Sequence, residues 1–210
     1  MEVKKPDNVN EPDLEYGNYS YADYLKWQME EVVELIKGKA FKKAAAAPKR
    51  IHQQISIKLA AKLYYFLEDK SCQVYDAPFD VRFPKASRAD HFIHDVVQPD
   101  ICVICDREKL DDRGCIGAPD LIVEILSPSN SKTELKHKFK LYESNGVQEY
   151  WIIHAETQDL LIYSLSNGKY VPSLLLTSGD VAESKVIQGF KLDLEEFFGD
   201  IDLYLEPIVR

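Results

Sequence analysis

The alternation of apolar and polar positions predicts a core that opens with a helix and continues with strands. Between Pro48 and Lys70, apolar side chains recur at helical spacing and form one buried stripe. The members of this stripe are Ile51, Ile55, Leu59, Leu63 and Phe66. The next segment, CQVYDAPFDVRFP, alternates as a half-buried strand does. Two continuous apolar runs follow, ICVIC at 101–105 and LIVEIL at 121–126, and such runs are typical of central strands covered on both faces.

A second helix and a fourth strand complete this core. SKTELKHKFKLYES (131–144) predicts a helix, and Asn145-Gly146 favours its end. The apolar stripe of this helix consists of Leu135, Phe139 and Tyr142. EYWIIH (149–154) predicts another strand. The order is therefore helix, three meandering strands, crossover helix and strand, which predicts an α/β fold whose sheet mixes strand directions in the α+β manner.

Shorter elements flank this core. EVVELIKGKAFKKA predicts an N-terminal strand pair with a turn at Lys37-Gly38, and a short amphipathic helix is expected around 20–30. Two strands separated by Ser166-Asn167-Gly168 predict a C-terminal hairpin, and FKLDLEEFF predicts a closing strand and a short helix. Residues 1–18 are rich in charge and poor in apolar periodicity. We therefore expect a flexible arm followed by a single domain over 19–210.

Composition and charge narrow the class of protein. The 210 residues include 26 Lys and Arg against 35 Asp and Glu, so the net charge is −9, which argues against non-specific coating of nucleic acid. No apolar run reaches the ~18 residues of a membrane span, and MEVKKPDNVN lacks the apolar stretch of a signal peptide. We therefore expect a cytoplasmic protein with reduced cysteines and no membrane partner.

The cysteines suggest a zinc-binding regulator, but strand geometry makes this the weakest hypothesis. Cys102 and Cys105 have the spacing of a zinc knuckle. Residues three apart in a strand face opposite sides, however, and only Cys115 follows nearby, so a four-ligand set is not formed. We interpret these cysteines, and Cys72 with them, as free thiols.

Glu124 stands out because it interrupts the otherwise apolar run LIVEIL. A lone carboxylate in a central strand is costly unless it is paired, protonated or bound to a cation. A salt bridge to Lys or Arg is one explanation, and a metal ligand or catalytic acid is the other. Asp120 shares the strand face of Glu124, but four residues separate them, roughly 13 Å at ~3.3 Å per residue. The two therefore cannot ligate one ion.

Asp100 is the better candidate for a partner carboxylate. It precedes the strand ICVIC, directly after Pro99. If this strand and LIVEIL are antiparallel neighbours, the start of the first lies beside the end of the second, and Asp100 lies near Glu124. The alternative is an ordinary Pro-Asp turn at a strand entry. Two carboxylates with open positions suit Mg²⁺, which keeps water and shares phosphate oxygens.

Three further polar residues are candidates for the same site. Lys138 lies on the flank of the apolar stripe of the second helix, so it can lay its methylenes on the core and direct its amine toward the sheet. A surface lysine is the alternative. His52 falls on the apolar face of the first helix, where a hydrogen-bonded core histidine is the commoner case. Glu34 lies in the strand VVELI, and the sequence alone does not place it.

Two basic clusters, at 37–50 and 132–140, border the elements that carry these carboxylates. Each is either a solvated face or a basic rim around an acidic metal centre, as expected of an enzyme that cuts phosphodiesters. The candidates for contact with DNA phosphates are Lys42, Lys43, Lys49, Arg50 and Lys136.

The segment GAPDLIVEILSPSNSKTELKHKFKLYESNGVQEYWIIH strongly resembles the signature of the Uma-two family of restriction-endonuclease-like proteins. The matching motifs are Pro119-Asp120, Glu124, Leu126-Ser127-Pro128-Ser129, Lys138 with Tyr142, Gly146-Val147, Glu149-Tyr150-Trp151, Glu34-Leu35-Ile36 with Gly38, His52-Gln53, Ala77-Pro78-Phe79-Asp80-Val81 and Gln98-Pro99-Asp100. The resemblance covers about residues 20–200.

This resemblance implies the PD-(D/E)XK nuclease fold, whose core order is helix, three strands, helix, strand. It also implies that Asp100 and Glu124 bind Mg²⁺ or Mn²⁺ and activate water for cleavage of DNA. The family's superfamily carries lysine where this chain has Leu126, and Lys138 supplies the missing amine in our hypothesis. Glu34, His52 and Asp120 are expected to be auxiliary groups.

Two functional hypotheses follow from these residues. The first is a Mg²⁺-dependent endonuclease acting on DNA, for which a homodimer would match the two-fold symmetry of the duplex. The second is a catalytically silent nucleic-acid-binding or scaffold protein on the same fold, which Leu126 and the net charge of −9 favour. Metal-dependent nicking of plasmid DNA separates them.

Overall fold

The computed structural model of the chain describes residues 17–27, 32–42, 50–126 and 132–201. The helices are α1 (Tyr21–Tyr24), α2 (Arg50–Leu67), α3 (Lys132–Asn145) and α4 (Leu194–Gly199), with 3-10 turns at Asp90–Phe92 and Arg107–Lys109. The strands are β1 (Val33–Ile36), β2 (Lys39–Lys42), β3 (Gln73–Asp76), β4 (Asp80–Arg82), β5 (Val96–Val97), β6 (Ile101–Ile104), β7 (Leu110–Asp111), β8 (Gly114–Ile116), β9 (Leu121–Leu126), β10 (Glu149–His154), β11 (Asp159–Ser166), β12 (Lys169–Pro172), β13 (Val181–Glu183) and β14 (Lys191–Asp193).

The contacts within the chain divide it into two compact units that interleave along the sequence. The first unit draws its described residues from Met1–Ala45, Phe79–Gln98 and Glu108–Ala118, and the second from Ala46–Pro78, Pro99–Arg107 and Pro119–Arg210. A single domain over 19–210 stays a prediction. Of the expected arm at 1–18, residues 1–16 lie outside the described residues.

The first unit is built on a mixed sheet with the strand order β2-β1-β5-β4-β8-β7. β1 and β2 pair antiparallel, which confirms the predicted N-terminal strand pair. Lys37 and Gly38 form the tight turn between β1 and β2, and both have the positive φ that such a hairpin turn requires. α1 is shorter than the predicted helix, since it ends at Tyr24.

The second unit carries the predicted core and has the strand order β12-β11-β10-β9-β6-β3. β3, β6 and β9 form an antiparallel meander. α3 then crosses over, and β10 pairs parallel to β9. β11 and β12 follow as the predicted hairpin, and β14 leads into α4 as the closing strand and helix. The predicted order of helix, three strands, helix and strand is therefore confirmed, together with the mixed strand directions.

α2 packs on one face of this sheet. Its buried stripe shares an apolar cluster with residues of β6, β9 and β10 whose side chains alternate with those on the opposite face. The stripe consists of Ile55, Leu59, Leu63 and Leu67, while Ile51 and Phe66 are half-buried. On the strand side the cluster includes Ile101, Val103, Leu121, Val123, Ile125, Trp151 and Ile153. No helix within the described ranges is long and apolar enough to cross a membrane.

The structure corrects the prediction of one strand for CQVYDAPFDVRFP. This segment forms β3 and β4, which belong to different sheets and different units. Pro78 lies between them, and proline cannot donate a hydrogen bond to a ladder, so one continuous central strand through this position is disfavoured.

The structure also corrects the interpretation of two cysteines as free thiols. Cys72 and Cys105 form a disulfide, whereas Cys102 and Cys115 are buried free thiols as expected. The register of β3 on β6 pairs Gln73 with Ile104, so the residues just beyond them meet across the end of the ladder. Sequence spacing could not reveal this pairing because it depends on the strand register.

A buried carboxylate ties β10 to the loop between β13 and β14. Glu149 is fully buried and accepts hydrogen bonds at Oε2 from Ser184 Oγ (3.1 Å), Lys185 N (2.9 Å) and Val186 N (3.1 Å). Its other oxygen accepts from Trp151 Nε1. The carboxylate therefore accepts hydrogen bonds from two backbone N–H groups of this loop and ties the loop to β10.

Glu149→Gln is expected to destabilise the fold. An amide in this position turns one acceptor oxygen into a donor that faces other donors, which costs about 1–3 kcal/mol. Urea unfolding measures this loss of free energy of unfolding. The matched control is Glu68→Gln at an exposed position, with an expected change within about 0.5 kcal/mol. Equal stability of both variants would contradict the role given to Glu149.

Candidate active site

Two buried carboxylates lie side by side in the second unit, Asp100 just before β6 and Glu124 on β9. The antiparallel register pairs Ile101 of β6 with Val123 of β9 and Cys102 with Ile122. One step further along the same register, Asp100 faces Glu124. Asp100 Oδ2 also accepts a hydrogen bond from the backbone N–H of Ile125 at 2.7 Å. The predicted proximity of Asp100 and Glu124 is therefore present in the structure.

Glu124 is held by two groups from α3. Lys138 Nζ lies 3.0 Å from Oε1 and 3.3 Å from Oε2, and Tyr142 Oη donates to Oε1 at 2.7 Å. Glu124 is 3% exposed and Lys138 is 1% exposed, so this ion pair is shielded from water. A buried carboxylate needs such partners because removal from water penalises its charged form. The salt bridge of Glu124 with Lys138 is therefore part of the candidate site and not an alternative to it.

The buried face of α3 is more polar than the sequence predicts. Among its described side chains, Lys138, Leu141 and Tyr142 are buried, whereas Leu135 and Phe139 are only half-buried. Lys138 and Tyr142 are four residues apart and therefore lie on the same side of the helix. The sheet surface beneath α3 carries the carboxylate of Glu124, and the helix therefore directs the donor groups of Lys138 and Tyr142 toward this carboxylate.

His52 approaches the other carboxylate from α2. Its Nε2 atom lies 3.3 Å from Asp100 Oδ2. Its Nδ1 atom is buried and finds no hydrogen-bond partner among the described residues. The structure therefore brings four predicted site residues together, namely Asp100, Glu124, Lys138 and His52.

Asp120 and Glu34 each accept a hydrogen bond from a backbone N–H group within their own unit. Asp120 Oδ2 accepts from the backbone N–H of Cys105 at 2.8 Å, so it ties the start of β9 to the end of β6. Glu34 is buried in the first unit and accepts from the backbone N–H of Gln98 at 3.0 Å. The auxiliary roles predicted for Asp120 and Glu34 stay predictions.

The candidates for phosphate contact are only partly described. Arg50 is exposed at the start of α2 and donates to Gln54 Oε1 at 3.1 Å, and Lys136 is exposed on α3. Lys43 and Lys49, together with the side chain of Lys42, lie outside the described part of the chain.

Sequence patterns alone do not assign two tyrosines to the site. The helical spacing places Tyr142 in the apolar stripe of α3, yet its hydroxyl donates a hydrogen bond to Glu124. Tyr150 lies on β10, and its ring packs edge-on against that of Tyr142 with centroids 5.1 Å apart. The spacing Lys-x-x-x-Tyr is the signal that could have identified Tyr142, because residues four apart lie on the same side of a helix. Tyr150 gave no such signal within its apolar strand.

The donor chemistry of this site fits Mg²⁺ or Mn²⁺. Asp100 and Glu124 offer hard carboxylate oxygens, and Mg²⁺ usually takes one or two carboxylates and completes its shell with water and phosphate oxygens. Within the described residues, no cluster of three or more His, Cys, Asp and Glu side chains is placed to hold a metal ion. The buried hydroxyl of Tyr150, which has no partner among these residues, is a further polar group beside the carboxylates.

A helix, an antiparallel meander with paired carboxylates, a crossover helix and a parallel strand together define a restriction-endonuclease-like fold. The chain belongs to the Uma2 (Uma-two) family, which is described as "Putative restriction endonuclease" and which residues 21–195 match. The resemblance seen in the sequence motifs is thereby confirmed.

Two similar proteins show how far the likeness extends. The solved structure of "a putative nuclease belonging to DUF820" from Anabaena variabilis ATCC 29413 has a TM-score of 0.67 at 20% identity, and the match covers 86% of this chain and 98% of that one. The "Uncharacterized protein slr1290" of Synechocystis sp. is 24% identical over 158 residues, which are 74% of this chain and 78% of the relative. At these identities the structural match supports the fold.

Lys138→Met is expected to destabilise the second unit strongly at neutral pH. The substitution leaves the carboxylate of Glu124 buried without its cation, and breaking a buried pair in this way costs about 3–5 kcal/mol. The double variant Lys138→Met/Glu124→Gln removes both charges and is expected to regain part of that loss. Urea unfolding of the wild type, both single variants and the double variant measures the coupling.

The control for this cycle is Lys140→Met, an exposed lysine on the same helix, with an expected change within about 0.5 kcal/mol. Strict additivity of the two single substitutions would show that Lys138 and Glu124 do not depend on each other.

Proposed function

We propose that this protein is a nuclease that hydrolyses phosphodiester bonds in DNA with the help of Mg²⁺ or Mn²⁺. The observation that carries the proposal is the buried pair of Asp100, which directly precedes β6, and Glu124 on the adjacent β9, with Lys138 bound to Glu124. Family membership and the nuclease-like fold support the same class of reaction. The predictions of a cytoplasmic location and of a homodimer stay predictions.

Asp100 and Glu124 would hold the cation. When bound, such an ion polarises the phosphate and makes water a stronger nucleophile. His52 lies against Asp100 and fixes the orientation of that carboxylate. Tyr142 does the same for Glu124 through its hydroxyl. The protein thus contributes two carboxylates whose positions are set before substrate arrives, and such preorganisation is a large part of enzymatic rate enhancement.

Lys138 would supply the positive charge that faces the phosphate. Related nucleases carry a lysine two residues after the acidic residue of this strand, but Leu126 is buried at that position here. The ammonium group of Lys138 reaches the same carboxylate from α3 instead. A lysine from the crossover helix can therefore stabilise charge that develops on the phosphate in the transition state.

The first test is metal-dependent nicking of supercoiled plasmid DNA. Wild-type protein with Mg²⁺ or Mn²⁺ is expected to nick the plasmid, and Asp100→Asn, Glu124→Gln and Lys138→Met are each expected to lower the rate at least about 100-fold. Gel quantification of open-circular DNA against time gives the rates. Asp112→Asn, which changes an exposed carboxylate of the first unit, is expected to keep the wild-type rate.

Two outcomes would overturn parts of this proposal. Metal-dependent nicking that survives Glu124→Gln would refute the site assignment. Absence of nicking of every DNA and RNA substrate by the wild type would refute the nuclease and favour the silent nucleic-acid-binding or scaffold protein.

DNA binding is expected to be weak and strongly salt-dependent, because the net charge is −9 and only local basic surfaces attract phosphate. Arg50→Ala and Lys136→Ala are each expected to weaken binding and to reduce the slope of log K against log salt concentration by about 1. Fluorescence anisotropy of a labelled duplex, with the non-cleaving Glu124→Gln background, measures both quantities.

The matched control for this series is Lys185→Ala. Lys185 is an exposed lysine in the loop between β13 and β14, outside the two helices that carry Arg50 and Lys136. Its removal is expected to leave the slope unchanged. A slope that falls equally in all three variants would indicate a general charge effect rather than contact by Arg50 and Lys136.

A further inference from the structure

The hydroxyl group of Tyr150 is buried and finds no hydrogen-bond partner among the residues that the structure describes. Burial of an unsatisfied hydroxyl is costly, so most buried polar groups in proteins have a partner. A phenylalanine would fill the same place without this cost. We therefore expect the hydroxyl group of Tyr150 to have a hydrogen-bond partner that is present when the protein functions.

Tyr150 lies on the same side of the sheet as the paired carboxylates. In the parallel register of β10 on β9, Tyr150 pairs with Ile122, and Ile152 pairs with Glu124. Side chains alternate along a strand, so Tyr150, Ile122 and Glu124 share the face that α3 covers. The ring of Tyr150 packs edge-on against Tyr142, whose hydroxyl binds Glu124.

The electrostatic surroundings point the same way. Burial is the main cause that raises the pKa of Tyr150 well above its usual value, and the negative charge of Glu124 raises it further, with a smaller effect of Asp100. Lys138 acts in the opposite direction. The phenol therefore stays protonated and uncharged at neutral pH, and it lies within electrostatic reach of both carboxylates.

On the basis of the proposed function, we propose that Tyr150 is a positioning residue of the cation site and accepts a hydrogen bond from water that a divalent ion retains beside Asp100 and Glu124. Mg²⁺ and Mn²⁺ held by only two carboxylates keep several water molecules, and each of these donates hydrogen bonds to acceptors around it. Outer hydrogen-bond partners of this kind typically change metal affinity by 10–100-fold. Tyr142 is already engaged with Glu124, whereas the hydroxyl of Tyr150 has no partner among the described residues.

The experiment is a titration of purified protein with MnCl₂, followed by isothermal calorimetry and by the electron paramagnetic resonance signal of free Mn²⁺. Tyr150→Phe is expected to weaken Mn²⁺ binding about 10–100-fold. The urea midpoint of the metal-free variant is expected to equal or exceed that of the wild type, since the substitution removes an unsatisfied group. A merely structural tyrosine would instead lower the midpoint and leave Mn²⁺ affinity unchanged.

Tyr163→Phe is the matched control, because the ring of Tyr163 stacks on that of Tyr150 in the same aromatic cluster with centroids 6.1 Å apart. Its Mn²⁺ affinity is expected to equal that of the wild type. Glu124→Gln is expected to abolish binding.

The outcomes separate this inference from the proposed function. If the wild type binds no Mn²⁺, or if Glu124→Gln binds it normally, the cation site of the proposed function is refuted, and the role of Tyr150 with it. If the wild type binds Mn²⁺ through Glu124 and Tyr150→Phe binds it equally well, the role of Tyr150 alone is refuted.

Discussion

The carboxylate of Glu124 is buried in the middle of a central strand, and the ammonium group of Lys138 and the hydroxyl group of Tyr142 compensate its charge. A leucine in the same place would pack without any desolvation cost, and replacing a buried ion pair by apolar side chains is often neutral or stabilising. The buried ion pair is therefore not needed for the stability of the core. A functional role accounts for the buried Glu124 better than a structural one, because the strand register brings a second carboxylate, Asp100, beside it.

The topology of the sheet explains why the partners of Glu124 come from α3. β9 is antiparallel to β6 on one side and parallel to β10 on the other. A parallel neighbour requires a crossover connection, and a helix that returns over the sheet must cover one of its faces. Here the covered face carries Glu124, so the helix that the topology demands also delivers Lys138 and Tyr142. On the α2 side, β9 instead contributes Leu121, Val123 and Ile125 to the apolar cluster.

Sequence patterns predicted most of the second unit because its elements are long and strongly periodic. The apolar runs located β6 and β9, and the single charged residue inside LIVEIL located Glu124. The antiparallel assumption then led to Asp100, and the helical spacing of α3 led to Lys138. Features that depend on register or on long-range pairing were not predictable in this way. The disulfide between Cys72 and Cys105 and the separation of β3 from β4 belong to this group. The role of the Tyr150 hydroxyl could not be predicted from the sequence either, because its lack of a partner among the described residues is seen only in the structure.

The disulfide has a consequence for how the edge of the second sheet moves. β3 is the last strand in the order, so only β6 holds it within the sheet, and edge strands are among the first elements to open locally. Cys72 and Cys105 fasten one end of this ladder covalently. The other end pairs Asp76 with Ile101, and the N–H of Ala77 donates to the carbonyl of Asp100 at 3.0 Å. Fraying of the edge is thus confined to the end that adjoins Asp100, so amide hydrogens there exchange with solvent sooner than those beside the cross-link.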